Sequence, residues 1–542
     1  MLALIPAIDR LDPGKRTLMK IGNTNETPAA TITVISGEQA GEGTGPALPT
    51  GPPGFAAHAV RGGVLVGSAQ LIRIAVQMAS VVVLSRLLAP TDFGLVAAVT
   101  PVIGFVSMFQ DLGYGQAIVQ RTEISQEQIS SVFWTTAALG VLCAVITILA
   151  SPAVAWFYHD RRILLITIAA SVPLLLGSLM SVPSGLLNRR LNFRGLAVSD
   201  TLGAVSGLAC ATLAAYLGAR YWSLIINSAV SSLVIVAGYW MFAAWKPNKP
   251  RARFVEREIG EFGANLTGFS FVNYFARNLD NILIGRKEGS VELGYYDRAY
   301  KLLYFPIQNI NGPLYRVMTP MLSRVQDDPQ RFRAMFLRGT GQLTLFTVPA
   351  MAALVAAPHD FVLLVFGARW APVAPIFFYL GINGLLQPLS NATEWIFIAL
   401  GRTAPMFRVG LATSTITVIS FFIGLHFGGA VGLAAAYAVS EFAFKAPIQY
   451  AVVHRMGTVS AWDLCWQQIP LLVAAAFSVV TVRLVFQRTL HMHGLALLVV
   501  GLVISYAWAI TITAIRPGGR AVLQESKDII GRLLKRPSSL RG

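Results

Sequence analysis

Apolar runs of about 20 residues, separated by short polar loops, recur along this chain from Arg61 onward. A helix needs about 20 mainly apolar residues to cross the roughly 30 Å hydrocarbon core of a bilayer. The pattern therefore predicts an all-α polytopic membrane protein with about 14 transmembrane helices. The approximate spans are 63–85, 93–112, 132–156, 163–187, 197–217, 222–245, 262–284, 296–320, 339–366, 374–400, 405–427, 430–452, 465–487 and 494–515.

Loop charges predict the orientation of these spans. Lys and Arg are about twice as numerous in the loops on one side as on the other, which by the positive-inside rule places both termini in the cytoplasm. Gly, Pro and Thr crowd residues 41–54, which favours disorder. The predicted organisation is a disordered cytoplasmic tail (1–60), two six-helix bundles (61–250 and 251–457), two additional helices (458–515) and a basic cytoplasmic tail (516–542).

The composition agrees with a membrane protein. Hydrophobic residues make up 54% of the 542 residues and charged residues only 13%, against roughly a quarter in soluble proteins. This excludes a soluble enzyme, a disordered protein and a nucleic-acid binder, and the net charge of +17 is explained by the loops. The three cysteines lie in apolar runs without metal-ligand spacing, and there is no ATP-binding Gly-Lys motif. We expect no catalytic residues, metal or cofactor.

A weak internal repeat appears when the chain is shifted by 200 residues. The segment Arg86–Gly94 then falls on Arg286–Gly294, and arginine, acid and glycine coincide between a first and a second span. The polar residues of the first span keep the same register as those of the seventh. They are Gln70, Arg73, Gln77 and Ser80, and Ser270, Asn273, Arg277 and Asp280. Six spans separate the copies, so the repeat predicts two bundles related by a pseudo-twofold axis along the membrane normal.

Basic residues inside predicted spans are the candidate binding groups. An ionisable side chain at bilayer depth costs at least about 2.5–3.5 kcal/mol, so it should face a partner or a cavity. We expect spans one, seven and eight to surround a cationic cavity suited to an anion, because arginine forks match phosphate oxygens. The predicted anion-binding residues are Arg73, Arg277, Arg298, Lys301 and Arg316, and the predicted polar lining is Gln70, Gln77, Asn273, Asp280 and Asn309.

Structural roles remain alternatives for these charges. Arg73 could join helices by hydrogen bonds, Arg277 could pair with Asp280, and the cations of span eight could reach an interface. That span also contains Pro306, Pro313 and Pro320, which predict an interrupted helix.

Acidic residues at depth are fewer. Asp280, Glu394 and Glu441 are the candidates for coupling to an ion, although Glu441 with Lys445 also fits a structural i, i+4 pair.

Several short motifs follow one another along residues 61–515. They are Ser85–Leu95, Asp111–Gly115 continuing to Gln120–Arg121, Val132–Trp134, Pro183–Arg190, Tyr295–Tyr300, Pro320–Arg324 and Ala399–Arg402. In order and spacing they resemble the polysaccharide-transporter branch of the multidrug/oligosaccharidyl-lipid/polysaccharide exporter superfamily, the Wzx-type flippases. The long segment before Arg61 departs from the usual short start of that family.

The resemblance implies two six-helix bundles facing each other in a V, followed by two extra helices. It implies a bacterial inner-membrane flippase that turns a polyprenyl-pyrophosphate-linked oligosaccharide from the inner to the outer leaflet for exopolysaccharide or O-antigen export. Membrane lipids, a polysaccharide polymerase and a co-polymerase are then the expected partners, and nucleic acid is not. A drug or cation exporter of the same superfamily, or a membrane glycosyltransferase or polymerase, are the alternatives; the short external loops disfavour an enzyme.

Overall fold

The computed structural model describes residues 55–111, 115, 118–119, 124–249, 274, 278–516 and 519–534. Most of the predicted N-terminal tail and of span 262–284 lies outside these residues. Within them, the regular secondary structure is helical. The helices of the first part are α1 (Phe55–Leu87), α2 (Pro90–Asp111), α3 (Gln126–Tyr158), α4 (Arg162–Arg189), α5 (Phe193–Tyr216) and α6 (Trp222–Ala243).

The remaining helices follow a helical stretch at 278–287. They are α7 (Gly289–Ser323), α8 (Pro329–Ala356), α9 (Pro358–Phe366), α10 (Val373–Ala399), α11 (Thr403–Ser440), α12 (Ala446–Arg455), α13 (Ala461–Thr481), α14 (Gly494–Ile515) and α15 (Gly519–Leu534). A π-helical turn, Glu441–Lys445, joins α11 to α12, and another, Val482–Thr489, extends α13.

The all-α polytopic architecture is confirmed. Eleven helical stretches in the described residues are long and apolar enough to cross a membrane. One of them, Thr403–Arg455, breaks at Gly428 and Gly429, where Gly429 has a φ of 57°. It therefore supplies two spans, as the sequence pattern predicts. The charged helix α7 is not among the eleven, although its 35 residues would extend about 52 Å.

Two local predictions are wrong. The single span predicted at 339–366 is broken after Ala356, because Ala357 precedes Pro358 and leaves the helical region (φ −129°, ψ 59°). Conversely, the three prolines of the eighth span do not interrupt it, and α7 continues through them as one helix. Each proline removes only one backbone hydrogen bond, and neighbouring groups in a packed bundle can satisfy the freed carbonyl.

Helices α2 and α7 pack along each other, and their closest approach involves two glycines. A Cβ atom on Gly94 would overlap the carbonyl oxygen of Ser290, and one on Gly294 would overlap that of Pro90. Because Ser290 and Gly294 lie 200 residues after Pro90 and Gly94, each repeat makes the same contact with the other. This reciprocity is what a pseudo-twofold axis between the repeats requires.

Side chains around this crossing join the same two parts of the chain. The indole nitrogen of Trp370 donates to the carbonyl oxygen of Ser85 at 2.7 Å, and Arg86 donates to that of Leu364 at 2.6 Å. The Trp370 ring also meets Phe93 edge-on, with centroids 5.4 Å apart. We call this end of the bundle, defined by Ser85, Arg86, Gly94, Gly294 and Trp370, the sealed end.

The C-terminal helices attach to α8. Arg483, in the π-helical extension of α13, donates to the carbonyl oxygens of Ala356 at 3.1 Å and Val355 at 3.2 Å, and lies over the ring of Phe378. It thereby satisfies backbone groups at the C-terminus of α8 that have no intrahelical partner. At the other end of α13, Arg333 forms a two-pronged ion pair with Asp463 at 2.5 and 2.7 Å.

Candidate functional site

A large cavity lies next to the sealed end. Its volume is about 1030 Å³, and the buried side chains of Leu84 and Phe93 line it toward that end. Along α7 its lining extends from Arg298 to Arg316, a helix length of about 27 Å. The polar residues that line it are Gln70, Arg73, Gln77, Ser80, Asn227, Ser231, Arg298, Lys301, Asn309 and Arg316.

One carboxylate organises the cations of α7. The Oδ2 atom of Asp297 accepts hydrogen bonds from Arg298 Nη2 at 2.8 Å and from Lys301 Nζ at 2.9 Å. Arg298 also lies over the ring of Phe93, with Cζ 4.1 Å from the ring centroid. Arg298 and Asp297 are buried, whereas the side chain of Lys301 is 51% exposed. One carboxylate shared by two cations leaves a net positive charge at the cavity wall.

Arg73, on α1, adds a further cationic side chain to the lining of the cavity. Its Nη1 atom is 3.9 Å from Oδ2 of Asp200, and the hydroxyl of Tyr239 donates to Oδ1 of the same carboxylate at 2.7 Å. The Arg73 side chain is about half exposed. Asp200 therefore orients Arg73 without covering it.

The structure brings most of the candidate residues to one cavity. Those that line it together are Gln70, Arg73, Gln77, Arg298, Lys301, Asn309 and Arg316. Asn273 and Arg277 lie outside the described residues, so the contribution of the seventh span stays a prediction. The predicted proximity of spans one and eight is present, since residues of α1 and α7 line the same cavity.

The three acidic candidates do not line this cavity. Asp280 is buried and accepts hydrogen bonds from the Tyr296 hydroxyl at 2.9 Å and from the backbone N–H of Asn281 at 2.8 Å. Glu394 is exposed on α10. Glu441 is buried and pairs with Lys445 at 2.6 Å, in the i, i+4 arrangement that the sequence indicates. Their role in coupling stays a prediction.

Sequence reasoning missed four residues of the site. Asp297 adjoins Arg298 and lies four residues before Lys301, so helical spacing alone indicates the pairing. Asn227 and Ser231 are also four residues apart and interrupt an apolar span, a polar pair like those noted in α1. The contact of Phe93 with Arg298 had no local signal, because it depends on how α2 packs against α7.

Comparison with known families identifies the family of this chain. Residues 83–375, just over half of the chain, match the family model described as polysaccharide biosynthesis protein. The chain belongs to this family.

Relatives of known name agree with this family. The chain is 24% identical over 428 residues to the lipopolysaccharide biosynthesis protein WzxC of Escherichia coli (strain K12), covering 75% of this chain and 85% of the relative. It is 27% identical over 348 residues to the succinoglycan biosynthesis transport protein ExoT of Rhizobium meliloti (strain 1021), covering 62% and 68% respectively. The resemblance to the polysaccharide branch of the exporter superfamily is confirmed.

Solved structures show the same fold. The lipid II flippase MurJ in an inward closed conformation superposes with a TM-score of 0.65 at 12% identity, covering 83% of this chain and 98% of that chain. An inward-facing MATE family multidrug transporter of the MOP superfamily gives a TM-score of 0.54 at 14% identity, covering 76% and 99%. The protein is thus a multi-pass membrane protein with the helical fold of this superfamily.

Proposed function

We propose that this protein is a flippase that moves a polyprenyl-pyrophosphate-linked oligosaccharide from the inner to the outer leaflet of a bacterial inner membrane. The observation that carries the proposal is the cavity lined by Arg73, Arg298, Lys301 and Arg316 in a protein of the polysaccharide biosynthesis family. A sugar chain carries many hydroxyl groups, and each one left unpaired in hydrocarbon costs several kcal/mol. A polar cavity removes that cost while the lipid tail remains in the bilayer.

The electrostatics of the cavity suit a diphosphate. Asp297 holds Arg298 and Lys301 in place, and Phe93 supports the guanidinium from one face. The two cations are therefore held by contacts within the protein, which reduces the entropy lost when an anion binds. Arg316, toward the other end of α7, has no ion-pair partner in the described residues and offers a further charge.

The sealed end supports a mechanism of alternating access. In the orientation predicted by loop charges, the sealed end faces the outside, so this arrangement is closed toward the exterior. Export requires that the contacts of Gly94, Gly294 and Trp370 separate while others form at the opposite end. The two arrangements must differ by only a few kcal/mol for the protein to cycle. A proton, sodium ion or membrane potential would supply the driving force.

The cavity does not favour a drug or cation exporter. Among its described lining residues four are basic and none is acidic. Such a surface repels a cationic drug, even if the apolar part of the drug fits the cavity. The same proposal includes cytoplasmic termini, because the sugar must reach the outer leaflet. It also includes a polymerase and a co-polymerase as partners that use the sugar there.

Genetic complementation tests the proposal. In a bacterium that lacks its own flippase and is supplied with the matching lipid-linked donor, expression of this protein should restore surface polysaccharide. Arg316→Gln should lower the rate of export about 10- to 100-fold, because a hydrogen bond to a charged group contributes about 1.5–3 kcal/mol. This variant leaves the Asp297 network intact, so the protein should fold normally.

Arg324→Ala is the matched control. Arg324 caps the end of α7, is exposed and does not line the cavity, so export should be unchanged. Normal export by both Arg316→Gln and the double variant Asp297→Asn/Arg298→Gln would contradict the role of the cationic cavity.

A further inference from the structure

The two sides of the cavity carry different chemistry. Helix α7 contributes the cations Arg298, Lys301 and Arg316. Its one lining amide, Asn309, donates to the carbonyl oxygen of Phe305 at 2.9 Å. On the side of α1 and α6, apart from Arg73, the polar lining consists of uncharged amides and hydroxyls. These are Gln70, Gln77, Ser80, Asn227 and Ser231, which we call the amide wall.

The polar groups of the amide wall are free to bind a ligand. None of its five side chains has a hydrogen bond within the part of the chain that the structure describes. Hydroxyls in membrane helices commonly bond back to their own helix, as Ser228 on α6 does to the carbonyl oxygen of Ile225 at 2.9 Å. Ser231, three residues later, makes no such bond. Free polar groups at membrane depth are costly unless water or a ligand satisfies them.

The backbone of α5 makes room for this arrangement. A Cβ atom on Gly207 would overlap the hydroxyl of Ser231 and lie 2.8 Å from Oδ1 of Asn227. A larger residue at position 207 would therefore displace both polar side chains. The glycine fixes where Asn227 and Ser231 stand in the cavity.

Ser231 of the amide wall and Arg298 of α7 lie at about the same distance from the sealed end. Helix α2 begins at the sealed end, so α3, which follows it, begins at the opposite end. Trp245, just beyond the end of α6, donates to Gln126 at the start of α3. Helix α6 therefore ends opposite the sealed end and begins at it, as α7 does. Ser231 is nine residues from Trp222 and Arg298 nine from Gly289, or about 14 Å along each helix. A ligand at this level therefore meets the hydroxyl of Ser231 from α6 and the guanidinium of Arg298 from α7.

From this juxtaposition we infer that the amide wall is the sugar subsite and that it recognises the hydroxyl groups of an uncharged sugar next to the diphosphate. The inference rests on the proposed function. An amide offers both donors and an acceptor, which matches a hydroxyl that donates and accepts, whereas the cations of α7 can only donate. The diphosphate then lies against α7, and the first sugar lies against α1 and α6.

Binding of two lipids to the purified full-length protein tests this assignment. The probes are polyprenyl diphosphate without sugar and the same lipid carrying a neutral disaccharide. Gln77→Met and Asn227→Leu keep side-chain size but remove the amides. Each should weaken binding of the disaccharide lipid about 3- to 10-fold and leave binding of the sugar-free lipid unchanged, as expected for a neutral hydrogen bond. Arg316→Gln should weaken binding of both lipids.

Ser231→Ala and Ser228→Ala form a matched pair on one helix. Only Ser231→Ala should weaken binding of the disaccharide lipid, because Ser228 is bonded to its own helix and does not line the cavity. Equal losses for both lipids, or no loss in Gln77→Met, Asn227→Leu and Ser231→Ala, would overturn the sugar subsite while leaving the flippase proposal in place. Failure of the unaltered protein to bind either lipid would overturn both.

Discussion

Gly94 and Gly294, 200 residues apart, lie at equivalent points of α2 and α7 and each contacts the backbone of the other helix. Neither position has room for a Cβ atom, because the carbonyl oxygens of Ser290 and Pro90 occupy that space. The sequence alignment of the two repeats and the packing of the two helices therefore describe one symmetric contact. It brings the repeats together beside the cavity and holds the sealed end shut.

Side chains at the glycine crossing should prevent closure. Gly94→Val or Gly294→Val forces α2 and α7 apart, which should cost the closed arrangement about 1–3 kcal/mol or more. Export in the complementation assay should fall strongly at normal protein level. Gly410→Val is the control, since a Cβ there meets open space. Full export by both crossing variants would show that the tight contact is dispensable.

Loss of the polar links at the sealed end should open it. Trp370→Phe removes the bond to Ser85, and Arg86→Gln removes a charged donor to Leu364. A cysteine placed at Ser80, in a chain whose three native cysteines are replaced, should then react faster with an external membrane-impermeant maleimide. We expect about a 3- to 10-fold increase in labelling rate from the loss of one hydrogen bond. Unchanged labelling in both variants would mean that these bonds do not hold the end closed.

Removal of Asp297 should destabilise the protein more than removal of Lys301. Asp297→Asn leaves the buried Arg298 guanidinium beside Lys301 without their shared counter-ion, and breaking a buried ion pair typically costs about 3–5 kcal/mol. Lys301→Ala should cost less, because its side chain is half exposed and Arg298 remains paired with Asp297. Thermal melting in detergent compares the two. Equal melting temperatures would show that Asp297 does not organise the site.

The C-terminal pair of helices should depend on Arg483. Arg483→Met preserves much of the side-chain volume but removes the donors to Val355 and Ala356, which should lower stability by about 1–3 kcal/mol. A lower melting temperature and faster proteolysis after α12 would show that the C-terminal helices are less firmly attached. Arg488→Met, at an exposed position in the same π-helical segment, should leave both unchanged. Identical behaviour of the two variants would assign no anchoring role to Arg483.

The sequence by itself determined the membrane class, most of the spans and the polar register of α1. Those features depend on local properties, since about 20 apolar residues must span a bilayer and residues three or four apart share a helix face. The same local rules placed Gln70, Arg73 and Gln77 on one face, and the structure finds all three in the cavity. The break at Gly428 and Gly429 also follows from local backbone preference.

Tertiary structure alone decided which faces meet. The aromatic ring that Arg298 stacks on, Phe93, belongs to another helix. The two helices can approach this closely because Gly94 and Gly294 lack side chains. The continuity of α7 through its three prolines likewise departs from what local helix propensity predicts. Such contacts join residues some 200 positions apart, and their geometry is fixed by packing of whole helices, which hydrophobic periodicity does not specify.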